Sequence, residues 1–294
     1  NQYQAPVSIN GSRGNGTNYL LDNADHNDNY TNIAQPYPNP DAVQEFSVQT
    51  STFDAQYGRS VGGVVNVVTR SGTNEIHGAA FDFLRNHALN ARNFFTGKDA
   101  LKRNQFGATL GGPVVIPGLY NGKNRTFLFG AYQGTRIRIA TPGQAVAPSD
   151  AMKNGDLSSF LRPDGTGRIK DPDAPGQYFP NNQIPVSRFD PVSRKLLGFM
   201  PSSTSSNFLL QFANLSQPTN DDQVLLRLDH HLSEKQRLSG RYFIVDYDKP
   251  WVFRPENLYS FAAGQTGRAQ SATLNHVYVI SPRLVNDFSA TYHR

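Results

Sequence analysis

Five oxygen-bearing side chains crowd one short stretch of the 294-residue chain: Asp22, Asp25, Asn27, Asp28 and Asn29. Hard oxygen donors at that density suit Ca²⁺. Their spacing does not follow the helix-loop-helix calcium loop, because counting from Asp25 puts Tyr30 where glycine is needed and Pro36 where a bidentate glutamate is needed. The stretch reads more simply as a polar, turn-rich loop. His230 and His231 are adjacent in an expected strand, so they point to opposite faces and cannot grip one ion together. No zinc-protease, nucleophile-elbow, P-loop or dinucleotide-binding pattern occurs, and the glycines at 11, 14 and 16 are wrongly spaced for the last of these. The chain has no cysteine, which excludes disulfides, thiolate zinc sites and a cysteine nucleophile. The expectation is a protein that is not an enzyme and carries no cofactor.

Two other groups of residues could meet a ligand. Phe94, Phe95, Tyr178, Phe179 and Trp251 fall in expected loops, where rings stack on ligands but more often pack the loop itself. Arg85, Arg92, Lys98, Lys102 and Arg103 surround one expected loop; they could pair with lipopolysaccharide phosphates, although solvated charge is the plainer reading. Charge is divided unevenly: residues 1–58 hold six acidic and one basic side chain, residues 59–294 hold 17 and 27. That asymmetry fits two modules, the second facing phosphate-rich surroundings.

The elements that must position these residues are strands. No apolar run approaches the ~20 residues of a membrane helix; the longest, VGGVVNVVT, is interrupted by Gly and Asn. Abundant Tyr, Phe, Gly and Pro suit many strands joined by turns. The N-terminus has neither the basic nor the apolar region of a signal peptide. Residues 1–41 are turn-rich, with a short strand at 19–22; strands follow at 43–50 and 61–70, the second so rich in valine that burial on both faces is expected. Beyond Gly72 the pattern changes to longer amphipathic strands near 76–85, 103–116, 124–136, 223–232, 236–247, 268–280 and 283–293. Their connections alternate short and long, as in an outer-membrane barrel. In the third of these strands Phe127, Phe129 and Ala131 share one face, and in the fifth Leu238, Tyr242 and Ile244 share another, so one face is expected to meet lipid and its opposite a polar lumen. The segment 137–222 holds 10 of the 19 prolines and is expected to be one long loop, with a short helix starting at Asp190-Pro191 and running to about Met200. An antiparallel soluble sheet would show the same alternation.

The run VQEFSVQTSTFDAQYGRSVGGVVNVVTRSGTNEIHGAAFDFLRN resembles the plug-to-barrel junction of TonB-dependent outer-membrane receptors, in particular the Oar-like group. The likeness continues through RNQFGATLGGPVVIPGLYNGKNRTFLFGAYQG, PSDAMKNGDLS, NNQIPVSRFDPVSRKLL and RLDHHLSEKQRLSGRY. It implies an all-β chain: the C-terminal part of a plug domain at 1–72, then the first seven or so antiparallel strands of an outer-membrane barrel at 73–294, with 137–222 outside. It implies junction residues Gly58, Arg59, Gly62, Gly63, Asn66, Arg70, Gly72, Asn74 and Gly78. Seven strands cannot close such a ring and an open edge in lipid is costly, so the chain is expected to be part of a longer polypeptide. The implied partners are a TonB-type energy-coupling protein, outer-membrane lipid and lipopolysaccharide, and an imported ligand that no residue specifies; nucleic acid is not among them. A secreted β-sandwich that binds or hydrolyses polysaccharide is the alternative.

Overall fold

The computed structural model describes residues 7–50, 53, 57, 62–91, 100–254 and 257–294. Two sheets carry the fold. The first is built from β1 (Thr17–Leu21), β2 (Ala24–Asp25), β3 (Val43–Gln49) and β4 (Gly63–Thr69), in the order β2-β1-β4-β3. β4 is its centre, parallel to β1 from Thr17↔Gly63 to Leu21↔Val67 and antiparallel to β3. The valine run explains that position, since Val64, Val65 and Val67 are all buried, as a strand covered on both faces requires. β3 is the edge, and its Phe46 and Val48 are exposed. A single 3-10 turn, Pro40–Ala42, precedes β3; Asn39 caps it by accepting from the Ala42 amide at 3.0 Å.

The second sheet is a seven-stranded antiparallel meander. It comprises β5 (His77–Asn86), β6 (Lys102–Pro113), β9 (Thr126–Val146), β10 (Leu209–Ser233), β11 (Gln236–Lys249), β14 (Gln265–Ser281) and β15 (Leu284–His293), each paired with its neighbour in sequence. Two-residue hairpins β7 (Val115–Ile116) with β8 (Tyr120–Asn121), and the short ribbon β12 (Val252–Arg254) with β13 (Asn257–Ala262), decorate the connections. The turns after β10 and β14 are two residues long, whereas those after β5, β9 and β11 are long.

The expected loop at 137–222 is shorter than the sequence suggests. β9 continues to Val146 and β10 begins at Leu209, so the connection is 147–208. Proline does not stop this ladder because of where it falls: Pro142 lies at the register shift between Phe212 and Leu215, and Pro218 lies just past Asn220, where pairing with β11 ends. At ~3.4 Å per residue, the 25 residues of β10 span roughly 80 Å, well beyond a hydrocarbon core of ~30 Å. Within 147–208 lie α1 (Asp150–Lys153), capped by Ser149, and α2 (Pro191–Gly198), capped by Asp190, whose carboxylate accepts from the Ser193 amide at 2.8 Å.

Alternation along the strands sorts the faces. On β10, Gln217, Thr219, Asp221, Gln223, Leu225 and Asp229 are buried against the first sheet's side, while Leu226 and Leu228 are exposed on the other. The exposed face is apolar across the sheet, with Leu110, Leu128, Tyr132, Tyr242 and Leu274. For β9 the grouping of residues is as expected, and the structure supplies which face is covered, a choice the alternation left open. Phe127, Phe129 and Ala131 are the buried set, because Ala42, at the end of the 3-10 turn before β3, packs into a cluster with Phe129, Ala131, Leu225, Phe243 and Val245. Leu225 is fully buried there. Leu225→Ala should therefore lower unfolding stability by about 2–5 kcal/mol, read as a shift in the denaturant midpoint of the full-length protein in detergent; an unchanged midpoint would show that this cluster contributes nothing.

Candidate functional site

β1 and β2 are joined by a two-residue turn in which Asp22 and Asn23 both have positive φ, 54° and 62°. Such turns favour Asn and Asp, whose short polar side chains bond the nearby backbone. Asn66, on β4, holds Asn23: its amide donates to Asn23 Oδ1 at 2.6 Å, and its Oδ1 accepts from the Asn23 amide at 3.3 Å. The turn thereby presents the Asp22 carboxylate to the seven-stranded sheet. Asp22 Oδ1 first accepts from the Thr69 amide at 2.7 Å and from the Thr69 hydroxyl at 3.0 Å.

Two arginines of the seven-stranded sheet meet this carboxylate. Arg227 of β10 donates from Nη1 to Asp22 Oδ1 at 3.2 Å and to the Thr69 carbonyl at 2.8 Å. Its Nε and Nη2 grip Asp229 at 2.9 and 3.0 Å, and Asp229 Oδ2 also accepts from Ser71 Oγ at 2.7 Å. Arg241 of β11 lies with Nε 2.8 Å from Asp22 Oδ2, an ion pair in which the N–H points off the oxygen rather than along the contact. Its Nη1 and Nη2 donate to Ser271 and Thr273 of β14 at 2.9 and 2.7 Å. Two carboxylates and two guanidiniums, Asp229 and Arg241 buried and Asp22 and Arg227 partly so, thus join the sheets with no net charge. A cavity of about 160 Å³ opens beside them, lined also by Asn275 and Asp287.

A second contact lies nearby. His293 of β15 bonds the Asp25 carbonyl through Nε2 at 2.6 Å, and its ring stands 5.7 Å from that of His26. His26 is buried, with Nε2 at 2.8 Å from the Pro36 carbonyl. Burial pushes its pKa down to about 3, the nearby Arg241 and His293 charges adding to the effect and the Pro36 contact opposing it.

The residues expected at the junction are placed as follows. Gly58 and Arg59 lie outside the described residues. A side chain at Gly63 would sit 2.8 Å from the Gln49 carbonyl and from Ile9. At Gly72 it would be 2.5 Å from the Leu128 carbonyl and 2.8 Å from that of Gly112, so the connecting segment presses directly on β6 and β9 backbone. Gly62 and Gly78 are similarly close to Ser12 and to the Thr109 carbonyl. Arg70 donates from Nε to the Val43 carbonyl at 3.1 Å, and Asn74 accepts from the Asn124 amide at 2.6 Å in the turn before β9.

The oxygen-rich cluster does not converge. Asp22 faces the arginines, Asp25 accepts from the Asn27 amide, Asn27 accepts from the Tyr19 amide, and Asp28 accepts from Tyr30 and Thr31. Among the described residues no group of three or more His, Asp or Glu is arranged to hold a metal. His230 and His231 face apart, the first toward Thr126 Oγ1 at 2.7 Å and the second toward the Phe127 ring. Sequence reasoning did not single out Arg227, Asp229 or Ser71, and weighed Asp22 only as a metal ligand. The available signal was a pair of charged residues, Arg227 and Asp229, at two successive inward positions of an otherwise apolar stretch, LLRLD.

Long antiparallel strands, apolar on the exposed face and largely polar on the covered one, are the pattern of the transmembrane β-barrel class. The chain belongs to the outer membrane beta barrel domain family, whose profile matches residues 68–294. It is 34% identical over 153 residues to the TonB-dependent transporter Oar of Myxococcus xanthus, a match covering 48% of this chain and 14% of that protein. In structure it resembles the outer membrane transporter YddB of Escherichia coli, with a TM-score of 0.56 and 8% identity over 98% of this chain and 32% of the other. The siderophore receptor PirA of Acinetobacter baumannii gives a TM-score of 0.49 at 14% identity, over 97% of this chain and 33% of that one. The chain thus spans about a third or less of each. It is an outer-membrane β-barrel sequence, similar over about half its length to a TonB-dependent transporter.

Asp22→Ala leaves the buried Arg241 guanidinium without a carboxylate and removes one of two from the partly buried Arg227, and should cost about 3 kcal/mol. In an Arg241→Met background the same change should cost at least about 1 kcal/mol less; strict additivity in denaturant titrations would mean that the pair is not coupled. Acid should weaken the first sheet separately. Unfolded, His26 takes up a proton near its ordinary 6.5, but folded only at about 3, so its contribution is complete above pH 6.5 and is lost as pH falls from there toward 3. Protease cleavage within residues 7–50 should rise across that window and rise less in His26→Gln; identical profiles would remove His26 from the account.

Proposed function

We propose that residues 1–72 are the C-terminal part of a plug, residues 73–294 the first strands of the barrel around it, and the whole protein an energy-coupled importer. The observation that carries this reading is the grip of Arg227 and Arg241 on Asp22, an ion-pair joint between an N-terminal sheet and the inward face of a barrel wall. The ligand would bind the long connections and the outward surface of the plug, and a TonB-type inner-membrane protein would supply the energy. The curated relative from M. xanthus bears the name of a TonB-dependent transporter, which supports the coupling. The short turns after β10 and β14 would face the periplasm, and the connections after β5, β9 and β11 the exterior. Lipid would meet the apolar face, and lipopolysaccharide its outer rim. Opening would then be a population shift in which displacement of the plug breaks the Asp22 pairs. Gly62, Gly63, Asn66 and Arg70 would set the plug's own strands, and Gly72, Asn74 and Gly78 its seat on the wall; Gly58 and Arg59 would belong to the same junction. A polysaccharide-binding sandwich is not needed once the barrel family is established.

The test uses the full-length gene in its host. Cells carrying it should deplete some solute from a defined medium that cells lacking it leave behind, and deletion of the energy-coupling partner should abolish the depletion. Depletion that needs the gene but survives loss of the coupling partner would sink the importer reading in favour of passive diffusion. Gly72→Val should force the connecting segment off β6 and β9 and raise sensitivity to vancomycin, a probe too large for intact outer membranes; full resistance with normal insertion would count against the seat.

A further inference from the structure

The register of β5, β6 and β9 places five cations at one end of the sheet. Lys102 of β6 is directly opposite Arg138 of β9, and Arg103 is directly opposite Arg85 of β5. Asn104 separates Lys102 from the level of Arg136. Counting by twos from Leu110 and Leu128, which are exposed on the apolar face, puts Lys102, Arg136 and Arg138 on that same outward face.

Like charges directly across a strand pair destabilise the pair. Here the cost is little relieved by the protein. Arg136 is held by Asp222, with two bonds of 2.8 and 2.9 Å, and its guanidinium stacks over the Phe106 ring. Among the described residues Arg138 finds the neutral amide oxygen of Asn220 at 3.0 Å and the Ile137 carbonyl. Among the described residues neither Arg138 nor Lys102 has a carboxylate ion pair, and Lys102 is exposed. An anion placed between them would turn the repulsion into attraction.

Height and direction name the anion. From Leu128 to Arg138 the strand advances ten residues, roughly 33 Å along its axis. At a barrel tilt of ~40° that is roughly 25 Å of height, the depth of the apolar band itself. The cations therefore ring the level at which the apolar band gives way to lipid headgroups. They point away from the lumen, above Leu110, Leu128 and Tyr132, which suit acyl chains. Guanidinium groups bind phosphate through paired N–H donors, and a lysine adds a point charge.

We propose that Lys102, Arg136 and Arg138 form a binding site for the phosphate of an outer-leaflet lipid, whose acyl chains run down the outside of β6 and β9. The inference rests on the orientation proposed above, with the connections after β5 and β9 outside. The partner is a phosphorylated lipid, held by its headgroup, and not a solute passing through the lumen.

The experiment uses the full-length protein, purified in detergent and stripped of lipid, with native mass spectrometry counting what rebinds. The probes are bisphosphorylated lipid A, the same lipid dephosphorylated, and inorganic phosphate. The wild type should retain the phosphorylated lipid about tenfold better than the dephosphorylated one, and Lys102→Gln/Arg138→Gln should lose about that factor. Lys123→Gln, in the turn at the opposite end, should behave as wild type. Equal retention by the double variant overturns the site, as does equal retention of the dephosphorylated lipid or saturation by inorganic phosphate alone. Heat-modifiable gel mobility reports folding, and if the double variant fails that check the exposed single change Lys102→Gln decides. The lipid assay needs neither a transported solute nor the coupling partner, so it can fail while solute depletion stands, and the reverse.

Discussion

The joint between the two sheets is electrostatic, and its geometry constrains almost everything around it. A partly buried carboxylate between two guanidiniums is stable only if its remaining lone pairs are also satisfied. Asp22 meets that demand through the Thr69 amide and hydroxyl, which fixes β1 against the end of β4. Arg227 must reach both Asp22 and Asp229, which fixes β10 beneath the same point, and Arg241 must reach Ser271 and Thr273, which ties in β14. One side chain at positive φ thereby sets the height at which the N-terminal sheet rests on three strands of the wall. The apolar contribution alongside is smaller in reach: among the described residues Ala42, in the turn before β3, is the one member of the N-terminal part in the cluster with Phe129, Leu225 and Phe243.

Much of the architecture could be read from the sequence because period and turn chemistry are local. The valine run at 63–69 announced a strand covered on both faces, and Asp190-Pro191 announced a helix start, each from a few adjacent residues. The short connections after β10 and β14 were equally plain. What could not be read locally was the continuation of β9 and β10. Proline content argued against strands in 137–222, and only the register shift opposite Pro142, a property of two segments about seventy residues apart, makes the ladder possible. The inward assignment of Phe127 and Phe129 failed to be legible for the same reason. A period of two groups residues by face but does not say which face another sheet will cover.

The ionic site was the least visible feature. Asp22 sits in a stretch whose composition suggests cation binding, and its partners lie more than two hundred residues downstream. Arginine and aspartate alternating inside LLRLD signal an inward polar face, yet any barrel lumen gives that signal. The pairing depends on tertiary placement that no spacing encodes. Gly72 is a partial exception, since a glycine between a buried strand and an amphipathic one points to close backbone approach, but the partners at Gly112 and Leu128 are again remote.

In the proposed function a plug must hold firmly and still come away, and the kind of contact matters more than its total strength. Apolar burial is non-directional and falls gradually as surfaces separate, so it resists removal over a long path. A charge-assisted hydrogen bond depends steeply on distance and angle. Moving Asp22 by a few ångströms would break its bonds to both arginines while leaving Arg227 paired with Asp229 and Arg241 with Ser271 and Thr273. The wall's own partners would thus limit the desolvation penalty on the arginines, and the cavity beside them supplies a polar lining of Asn275 and Asp287. The displaced side bears the larger change, because Asp22 would keep only Thr69. An interface arranged this way concentrates its resistance in one carboxylate on the moving part, which is the economical place for a joint that must break and re-form.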